Sequence, residues 1–232
     1  MKNLFEKVMM EYSRAKEDRI NDEILDADQK RSKQISELID RTLDQGHHVW
    51  IMTDWHLMKY NKETGAVYER PETKRIMKSV SKIGPDDLLI YLGDICDGEV
   101  ERKNDIANYM RYIHGKKILV RGNNDLFDDK WYLDHGWDIV TPKFIWKDIL
   151  FSHRPQDNQN KINIHGHIHG SKKYYASEIT HYRNQIDVAW LGGRLKPIEL
   201  AEVIDKQPDY AKIATFINKP WKDDPRVDER KK

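Results

Sequence analysis

The spacing of apolar residues changes near residue 46, and this change divides the chain into two kinds of predicted structure. Before it, apolar positions recur every three or four residues, as at Ile35, Leu38 and Ile39. This period places the apolar side chains on one face of a helix, and Gly46 is a typical helix stop. The pattern predicts an N-terminal helical extension over residues 1–46.

From residue 47 onward, short apolar runs alternate with amphipathic stretches. The runs HVWIM, LLIYL and KILV predict strands, and the stretches near 72–83, 101–113 and 126–134 predict helices. Strands that alternate with helices are typical of an α/β fold with partly parallel strands. The pattern therefore predicts an α/β domain that begins at residue 47.

Shorter strand patterns follow, with fewer helices between them. They are KFIW, DILF, KINI and IDVAW, and a tight turn is expected at 147–148. This part of the chain predicts a second sheet, mixed or antiparallel. Prolines and charges with few apolar anchors then predict a loosely held tail. The expected division is a domain over 47–205 and a tail over 206–232.

Composition narrows the classes of function. Charged residues make up 34% of the 232 residues, above the roughly 25% usual for soluble domains. The sequence has no apolar run of about eighteen residues, so we expect a water-soluble, cytoplasmic protein without a membrane partner. The lone Cys96 has no partner for an internal disulfide, in keeping with a reducing compartment. A formal charge of +1 without a basic block argues against tight binding of duplex nucleic acid.

Residues that can bind metal directly follow five of the apolar runs. They stand in the segments TDWH, GDICD, RGNND, SH and HGHIH. In α/β architectures the ligand crevice lies beyond the carboxyl ends of the strands, so these five loops can converge on one site. The candidate ligands are Asp54, His56, Asp94, Asn123, His153, His167 and His169.

This set contains two carboxylates, one amide oxygen and four imidazoles. Seven ligands exceed the roughly four that a tetrahedral zinc ion takes. They suit two ions that share a carboxylate, because a neutral imidazole offers one lone pair whereas a carboxylate oxygen can bridge. Two ions held roughly 3.5 to 4 Å apart can clamp a phosphoryl group and lower the pKa of a water molecule. The nitrogen and oxygen donors favour Mn, with Fe or Zn as alternatives, over Ca.

The order of the motifs is Asp-x-His, Gly-Asp-x-x-Asp, Gly-Asn, His and Gly-His-x-His, and it resembles the calcineurin-like metallophosphoesterase superfamily over about residues 48–200. The resemblance implies a four-layer α/β/β/α sandwich. It also implies hydrolysis of phosphodiester or small phosphate ester bonds, including nucleotide-type substrates, by a hydroxide that two divalent metal ions activate. By the same resemblance, Asp54, His56 and His169 hold one metal, Asn123, His153 and His167 hold the other, and Asp94 bridges both.

One position departs from this pattern. Many members of the superfamily have histidine directly after Gly-Asn, where this chain has Asn124. Since an amide is no general acid, we expect the reaction to favour a leaving group that is already stable, such as an aryl oxide. A related bacterial and phage branch that lacks this histidine is associated with phosphodiester or activated phosphate substrates. Asp125 matches the acidic residue that normally orients the histidine.

Further residues near the motifs have two interpretations each. Asp97 is expected to orient a ligand histidine rather than only to form a turn. Arg154 either pairs with the substrate phosphate or is a solvated surface arginine. His165 and Cys96 are expected to be buried and structural. The candidate catalytic residues are thus Asn124, Asp125, Asp97 and Arg154.

Several alternatives remain open. Trp55 and Trp131 could stack on a nucleobase or, more commonly, pack in a core. The N-terminal helices are expected to cover apolar surface of the domain, with homodimer formation as the second interpretation. Two competing functions are a nuclease of the same superfamily, which the near-neutral charge disfavours, and a non-catalytic metal-binding scaffold, which the complete ligand set disfavours.

Overall fold

The computed structural model describes residues 27–61, 63–64, 66–96, 103–156, 162–169, 185–189 and 191–205. Residues 1–26 of the predicted extension and the predicted tail over 206–232 lie outside this part. The division of the chain into extension, domain and tail therefore stays a prediction.

Helices and strands alternate along the described residues. In chain order they are α1 (27–44), β1 (Val49–Met52), β2 (Met58–Tyr60), β3 (Val67–Glu69), α2 (Thr73–Val80), β4 (Leu88–Tyr91), α3 (Lys103–Arg111), β5 (Lys116–Val120), α4 (Asp129–Asp134), β6 (Ile139–Thr141), β7 (Lys143–Trp146), β8 (Ile149–Ser152), β9 (Ile162–His165), β10 (Gln185–Asp187), β11 (Ile198–Glu199) and α5 (Leu200–Asp205).

The first sheet has the strand order β11-β1-β4-β5-β6. Strands β1, β4, β5 and β6 are parallel, and only β11 at the edge is antiparallel to its neighbour. Helices α2, α3 and α4 lie between these strands in the sequence, as the alternating pattern predicts. Because the strands are parallel, their carboxyl ends share one edge of the sheet.

The second sheet has the order β10-β9-β8-β7. Strands β7 and β8 form an antiparallel hairpin whose turn is Lys147 and Asp148, and β8, β9 and β10 are parallel. The predicted tight turn at 147–148 is confirmed. The sheet is mixed, which is one of the two arrangements that the sequence predicts.

Two apolar clusters surround the first sheet. One lies between the sheets and contains Ile90 of the first sheet and Phe151 of the second. The other lies on the opposite face of the first sheet, where Ile76 of α2 and Ile106 of α3 pack. Together they give an α/β/β layering, and the predicted α/β class is confirmed.

Helix α1 adds to the cluster between the sheets. Its residue Ile39 is fully buried there. Polar contacts reinforce the packing, since Trp146 Nε1 donates to Asp40 Oδ1 at 2.9 Å and Ser36 Oγ donates to the Ile145 carbonyl at 3.0 Å. The described part of the extension therefore covers apolar surface of the domain, in line with the first interpretation. In the described residues, none of the helices combines the length and the apolar character that a membrane span requires.

Three elements differ from the sequence pattern. The β2–β3 hairpin and strand β6 are not predicted, because each strand has only three residues and β2 and β3 include charged residues. Helix α4 begins at Asp129, later than expected. The Asp128 side chain accepts a hydrogen bond from the Trp131 amide, which makes Asp128 the N-cap.

Candidate metal centre

The seven candidate ligands follow five strands that end near one another. Asp54 and His56 follow β1, Asp94 follows β4, and Asn123 follows β5. The remaining candidates, His153, His167 and His169, follow β8 and β9. The strand-end placement read from the sequence therefore brings both sheets to a single site.

One group of donor atoms consists of Asp54, His56, Asp94 and His169. The Nε2 atoms of His56 and His169 are 2.9 Å apart, and His169 Nε2 is 3.2 Å from Asp54 Oδ1. His56 Nε2 is 3.7 Å from Asp94 Oδ2. Four donors of nitrogen and oxygen thus face a common point, as a transition-metal ion requires.

A second group lies on the other side of Asp94. His153 Nε2 is 3.4 Å from Asp94 Oδ2, 3.1 Å from His167 Nδ1 and 3.2 Å from Asn123 Oδ1. Asp94 belongs to both groups. The two groups correspond to the two predicted ligand sets, and the donor chemistry fits a pair of divalent ions that share one carboxylate. That these side chains bind metal stays a prediction.

Neighbouring groups fix the orientation of the donors. The His153 ring nitrogen Nδ1 lies 2.7 Å from the Leu92 carbonyl oxygen. A carbonyl oxygen only accepts hydrogen bonds, so Nδ1 carries a proton, and Nε2 is the ring nitrogen that faces the other donors. On the other side, Asp54 Oδ2 accepts hydrogen bonds from Thr53 Oγ1 at 2.8 Å and from the His167 amide at 3.0 Å.

The site also shifts the pKa values of its members. Burial raises the pKa of the Asp54 carboxyl, but the hydrogen bond from His169 and the charge of His153 outweigh burial and hold it below its usual value. Burial lowers the pKa of His153, whereas the hydrogen bond to Asp94 and the negative charge of the Asp94 carboxylate raise this pKa above its usual value. His165 is different, since burial lowers its pKa to about 4. It is a neutral histidine inside β9, as expected for a structural residue.

The backbone at the ligands is unusual. Six described residues other than glycine have a positive φ, and five of them are candidate ligands. Their φ angles lie between 44° and 66°, in the left-handed region that side chains with a Cβ rarely adopt. Such strain clusters at functional sites, where the surrounding structure holds it in place. The five residues are Asp54, His56, Asp94, His167 and His169.

Glycines allow the loops to approach closely. A Cβ at Gly166 would contact Thr53 Oγ1 and lie 2.6 Å from Asp54 Oδ2, and one at Gly122 would contact Asp94. A Cβ at either position would therefore prevent the approach of the two loops.

Two candidate catalytic residues contact the shared carboxylate or its loop. The backbone N–H of Asn124 donates to Asp94 Oδ1 at 2.9 Å, and its side-chain Nδ2 donates to Asp94 Oδ2 at 2.8 Å. Asp125 is buried, and its carboxylate accepts bonds from the backbone amides of Asp94, Ile95 and Gly122 at 2.7 to 3.0 Å. Asp125 therefore joins the loops after β4 and β5. In the structure it contacts backbone amides rather than a side chain that it would orient.

The other two candidate catalytic residues are less constrained. Arg154 is exposed, and its Nη2 lies 3.3 Å from Asn123 Oδ1. Asp97 lies outside the described residues, so its expected role stays a prediction.

The tryptophans near the motifs pack against other aromatic rings. Trp55 is fully buried, and its ring packs against Tyr91 at 4.4 Å. The centroid of the Trp131 ring is 4.1 Å from that of Phe127 and 4.2 Å from that of His135. The geometry agrees with packing rather than with stacking on a nucleobase.

Three residues that support the site have no signal in the sequence. Tyr91 accepts a bond from the Trp55 amide at 2.8 Å and donates to the Asp94 carbonyl at 3.2 Å. Arg70 and Arg194 donate to carbonyl groups of the loop after β1. These side chains bind backbone atoms, so the pattern of residue types gives no indication of their role.

Comparison with known proteins defines the class of this protein. The family model described as calcineurin-like phosphoesterase matches residues 47–226. The chain belongs to the calcineurin-like phosphoesterase family, as the motif order indicates. Membership implies a hydrolase of phosphoric esters, and the family usually binds divalent metals. No curated protein matches the sequence.

Two solved structures are among those that resemble the chain. A protein of unknown function from Aquifex aeolicus is 25% identical, with a TM-score of 0.46 and coverage of 68% of this chain and 98% of that one. A nuclease from Pseudomonas putida, MPE, is 18% identical, with a TM-score of 0.39 and coverage of 52% and 61%.

Proposed function

We propose that this chain is a dinuclear metal-dependent phosphoesterase that hydrolyses phosphodiester or small phosphate ester bonds. The observation that carries the proposal is the convergence of two donor groups on one carboxylate, Asp94. A bridging carboxylate is the ligand that a pair of ions requires. The family supplies the reaction class.

Each donor group would hold one divalent ion, with Mn favoured and Fe or Zn as alternatives. When bound, such ions lower the pKa of a water molecule and stabilise the charge that develops on a phosphoryl group. The first ion would take Asp54, His56, His169 and Asp94, and the second would take Asn123, His153, His167 and Asp94.

Burial of the ligands indicates how a substrate reaches the site. Asp54, His56, Asp94 and His153 are buried, whereas the side chain of His169 is 35% exposed. Asn123 is exposed and His167 is partly exposed as well, so a phosphate ester would approach from the side on which Asn123, His167 and His169 lie. Because the Arg154 guanidinium is exposed beside Asn123, we assign to it the binding of a phosphate oxygen.

Asn124 bears on the choice of substrate. Its two hydrogen bonds hold both oxygens of Asp94. Its amide has no proton to give to a leaving group in the physiological pH range. We therefore propose that the preferred substrate carries a leaving group that is stable without protonation, as in an aryl phosphodiester or an activated nucleotide ester.

A direct test is to remove metal with a chelator, restore Mn(II), and compare initial rates on bis-(p-nitrophenyl) phosphate and p-nitrophenyl phosphate. We expect cleavage that depends on Mn(II) and favours the diester. The Asp94→Asn variant is the blank, because it removes the carboxylate charge that both ions share.

The remaining outcomes distinguish the alternatives. Dominant cleavage of the monoester would retain the metal site and refute the preference for diesters. It would leave the role given to Asn124 untouched, because both esters release the same p-nitrophenolate. Faster cleavage of DNA than of either ester would favour a nuclease. Binding of two ions without cleavage of any of these substrates would favour a metal-binding scaffold.

A further inference from the structure

The loop after β1 presents two ligands from a strained backbone. Asp54 has a φ of 52° and His56 a φ of 44°. Neither residue is a glycine, so the left-handed conformation is unfavourable unless neighbouring groups hold it. The question is which groups do so.

The amides of this loop are held by the loop after β4 and by the residues that precede it. The Asp54 amide donates to the Gly93 carbonyl at 2.9 Å, and the His56 amide donates to the Asp94 carbonyl at 3.1 Å. The Trp55 amide donates to Tyr91 Oη at 2.8 Å. These bonds pair the backbone N–H groups of the loop. Its carbonyl groups need hydrogen-bond donors from other parts of the chain.

Two arginines from distant parts of the chain bind consecutive carbonyls of the loop. Arg194 Nε donates to the Asp54 carbonyl at 3.2 Å, and Arg70 Nη1 donates to the Trp55 carbonyl at 2.6 Å. The Arg70 side chain is only 11% exposed and is held by Glu72 at 3.3 Å. The carbonyl groups of Asp54 and Trp55 thus each accept a hydrogen bond from a guanidinium group.

The two arginines are close enough to repel each other. Burial lowers the pKa of Arg194, the charge of Arg70 lowers it further, and the charge of Asp54 acts in the opposite direction. The carbonyl oxygens that the two guanidinium groups bind and the Asp54 carboxylate offset this repulsion.

We infer that Arg70 and Arg194 are positioning residues that hold the Asp54–His56 loop in its metal-binding conformation by their bonds to the Asp54 and Trp55 carbonyls. The inference rests on the proposed function, because it concerns the same metal site. Both arginines act through the backbone, and neither is assigned a contact with substrate.

The loop after β5 offers a matched control. Arg121 Nη2 donates to the carbonyls of Asp125 and Phe127, each at 2.7 Å, and Nη1 bonds to Asp129 at 3.1 Å. It holds the loop that carries Asn123, which belongs to the second donor group. Loss of Arg121 should therefore act on the other ion.

The test is a calorimetric titration of the chelator-treated, full-length protein with Mn(II). His56→Ala and His153→Ala identify which binding step belongs to which donor group. We expect Arg194→Met and Arg70→Met to weaken the step that His56→Ala removes by about 10- to 100-fold, the usual effect of losing a residue that orients metal ligands. Both ions share Asp94, so a variant can change the affinity of both binding steps. The quantity compared is therefore the fold-change in Kd of one step relative to the fold-change in Kd of the other. Arg121→Met should weaken mainly the step that His153→Ala removes.

A conservative variant separates positioning from a general loss of stability. Arg70→Lys keeps a charged donor and should recover much of the lost affinity. Thermal unfolding of each variant confirms that the titration is done on folded protein. If one of Arg70→Met and Arg194→Met does not fold, the other carries the test. Equal weakening of both steps by Arg194→Met and Arg121→Met would overturn the inference and leave the proposed function intact. Failure of the unmodified protein to bind two ions would overturn both.

Discussion

Gly93 combines a positive φ with a lack of space, and this combination yields a quantitative prediction. Its φ is +84°, and a Cβ built on it would lie 2.5 Å from the Gly122 amide nitrogen and 2.7 Å from His153 Nδ1. Gly46 has a similar φ of +78° but nothing within 4 Å of such a Cβ. Substituting alanine at each position therefore separates the cost of the backbone angle from the cost of crowding.

The magnitudes follow from these two contributions. The left-handed angle costs about 1–2 kcal/mol for a residue with a Cβ, and both variants carry that cost. Crowding in a packed region adds about 1–3 kcal/mol, and only Gly93→Ala carries it. We expect the free energy of unfolding to fall by about 1–2 kcal/mol in Gly46→Ala and by about 2–5 kcal/mol in Gly93→Ala.

Urea unfolding followed by tryptophan fluorescence measures both values. A second readout is the affinity for Mn(II), because the added methyl group competes with the Leu92 carbonyl for the space around His153 Nδ1. Gly93→Ala should weaken binding at the second donor group, while Gly46→Ala should not. Equal stability of the two variants, with unchanged metal binding, would refute the reasoning from close approach.

Two further predictions concern single side chains. Asn124→His introduces the residue usual in the superfamily. We expect it to raise the rate on substrates with poor leaving groups, relative to those with good ones, by at least about tenfold, below the roughly 10²–10⁴-fold of established general acids. An unchanged ratio of rates on aryl and alkyl phosphodiesters would contradict the role given to Asn124. His48 Nδ1 lies 2.7 Å from Glu199 Oε1, and this bond raises the pKa of His48. The stabilisation is present below the unfolded value of about 6.5 and is lost as the pH rises through the folded pKa. The side chains of His48 and Glu199 are 54% and 41% exposed, so solvent screens the ion pair. Thermal unfolding should therefore show that His48→Gln lowers the Tm by no more than about 2–4 °C at pH 5.5 and leaves it unchanged at pH 9. A shift of the same size at both values of pH would refute the assignment to the ion pair.

The sequence predicts which side chains come together where a residue able to bind metal stands directly after a predicted strand. Asp54, Asp94 and Asn123 follow apolar runs, and the ends of parallel strands necessarily meet at one edge of a sheet. His167 and His169, on either side of Ile168, follow β9 and belong to different donor groups. The alternation of apolar runs and helical stretches predicts the central strands β1, β4 and β5 of the first sheet, the second sheet, and the turn at 147–148 between β7 and β8.

The sequence predicts less where a residue acts on the backbone. Arg70 and Arg194 bind carbonyl groups, and any donor of suitable length could do so, so their types carry no signal. Asp125 was recognised by its position, but its three bonds to amides are visible only in the structure. The left-handed angles are equally hidden, because histidine and aspartate do not mark a positive φ as glycine does.

The five candidate ligands with a left-handed backbone set stability and the proposed activity against each other. Glycine adopts this region without the penalty that a Cβ imposes, so replacing a candidate ligand by glycine would relieve strain at the very residue that we propose binds an ion. Random mutagenesis selected for heat resistance alone would therefore enrich substitutions that destroy the centre. A more stable variant of this enzyme has to be sought with selection for turnover applied in the same experiment, or away from the strand ends, where strain and chemistry do not coincide.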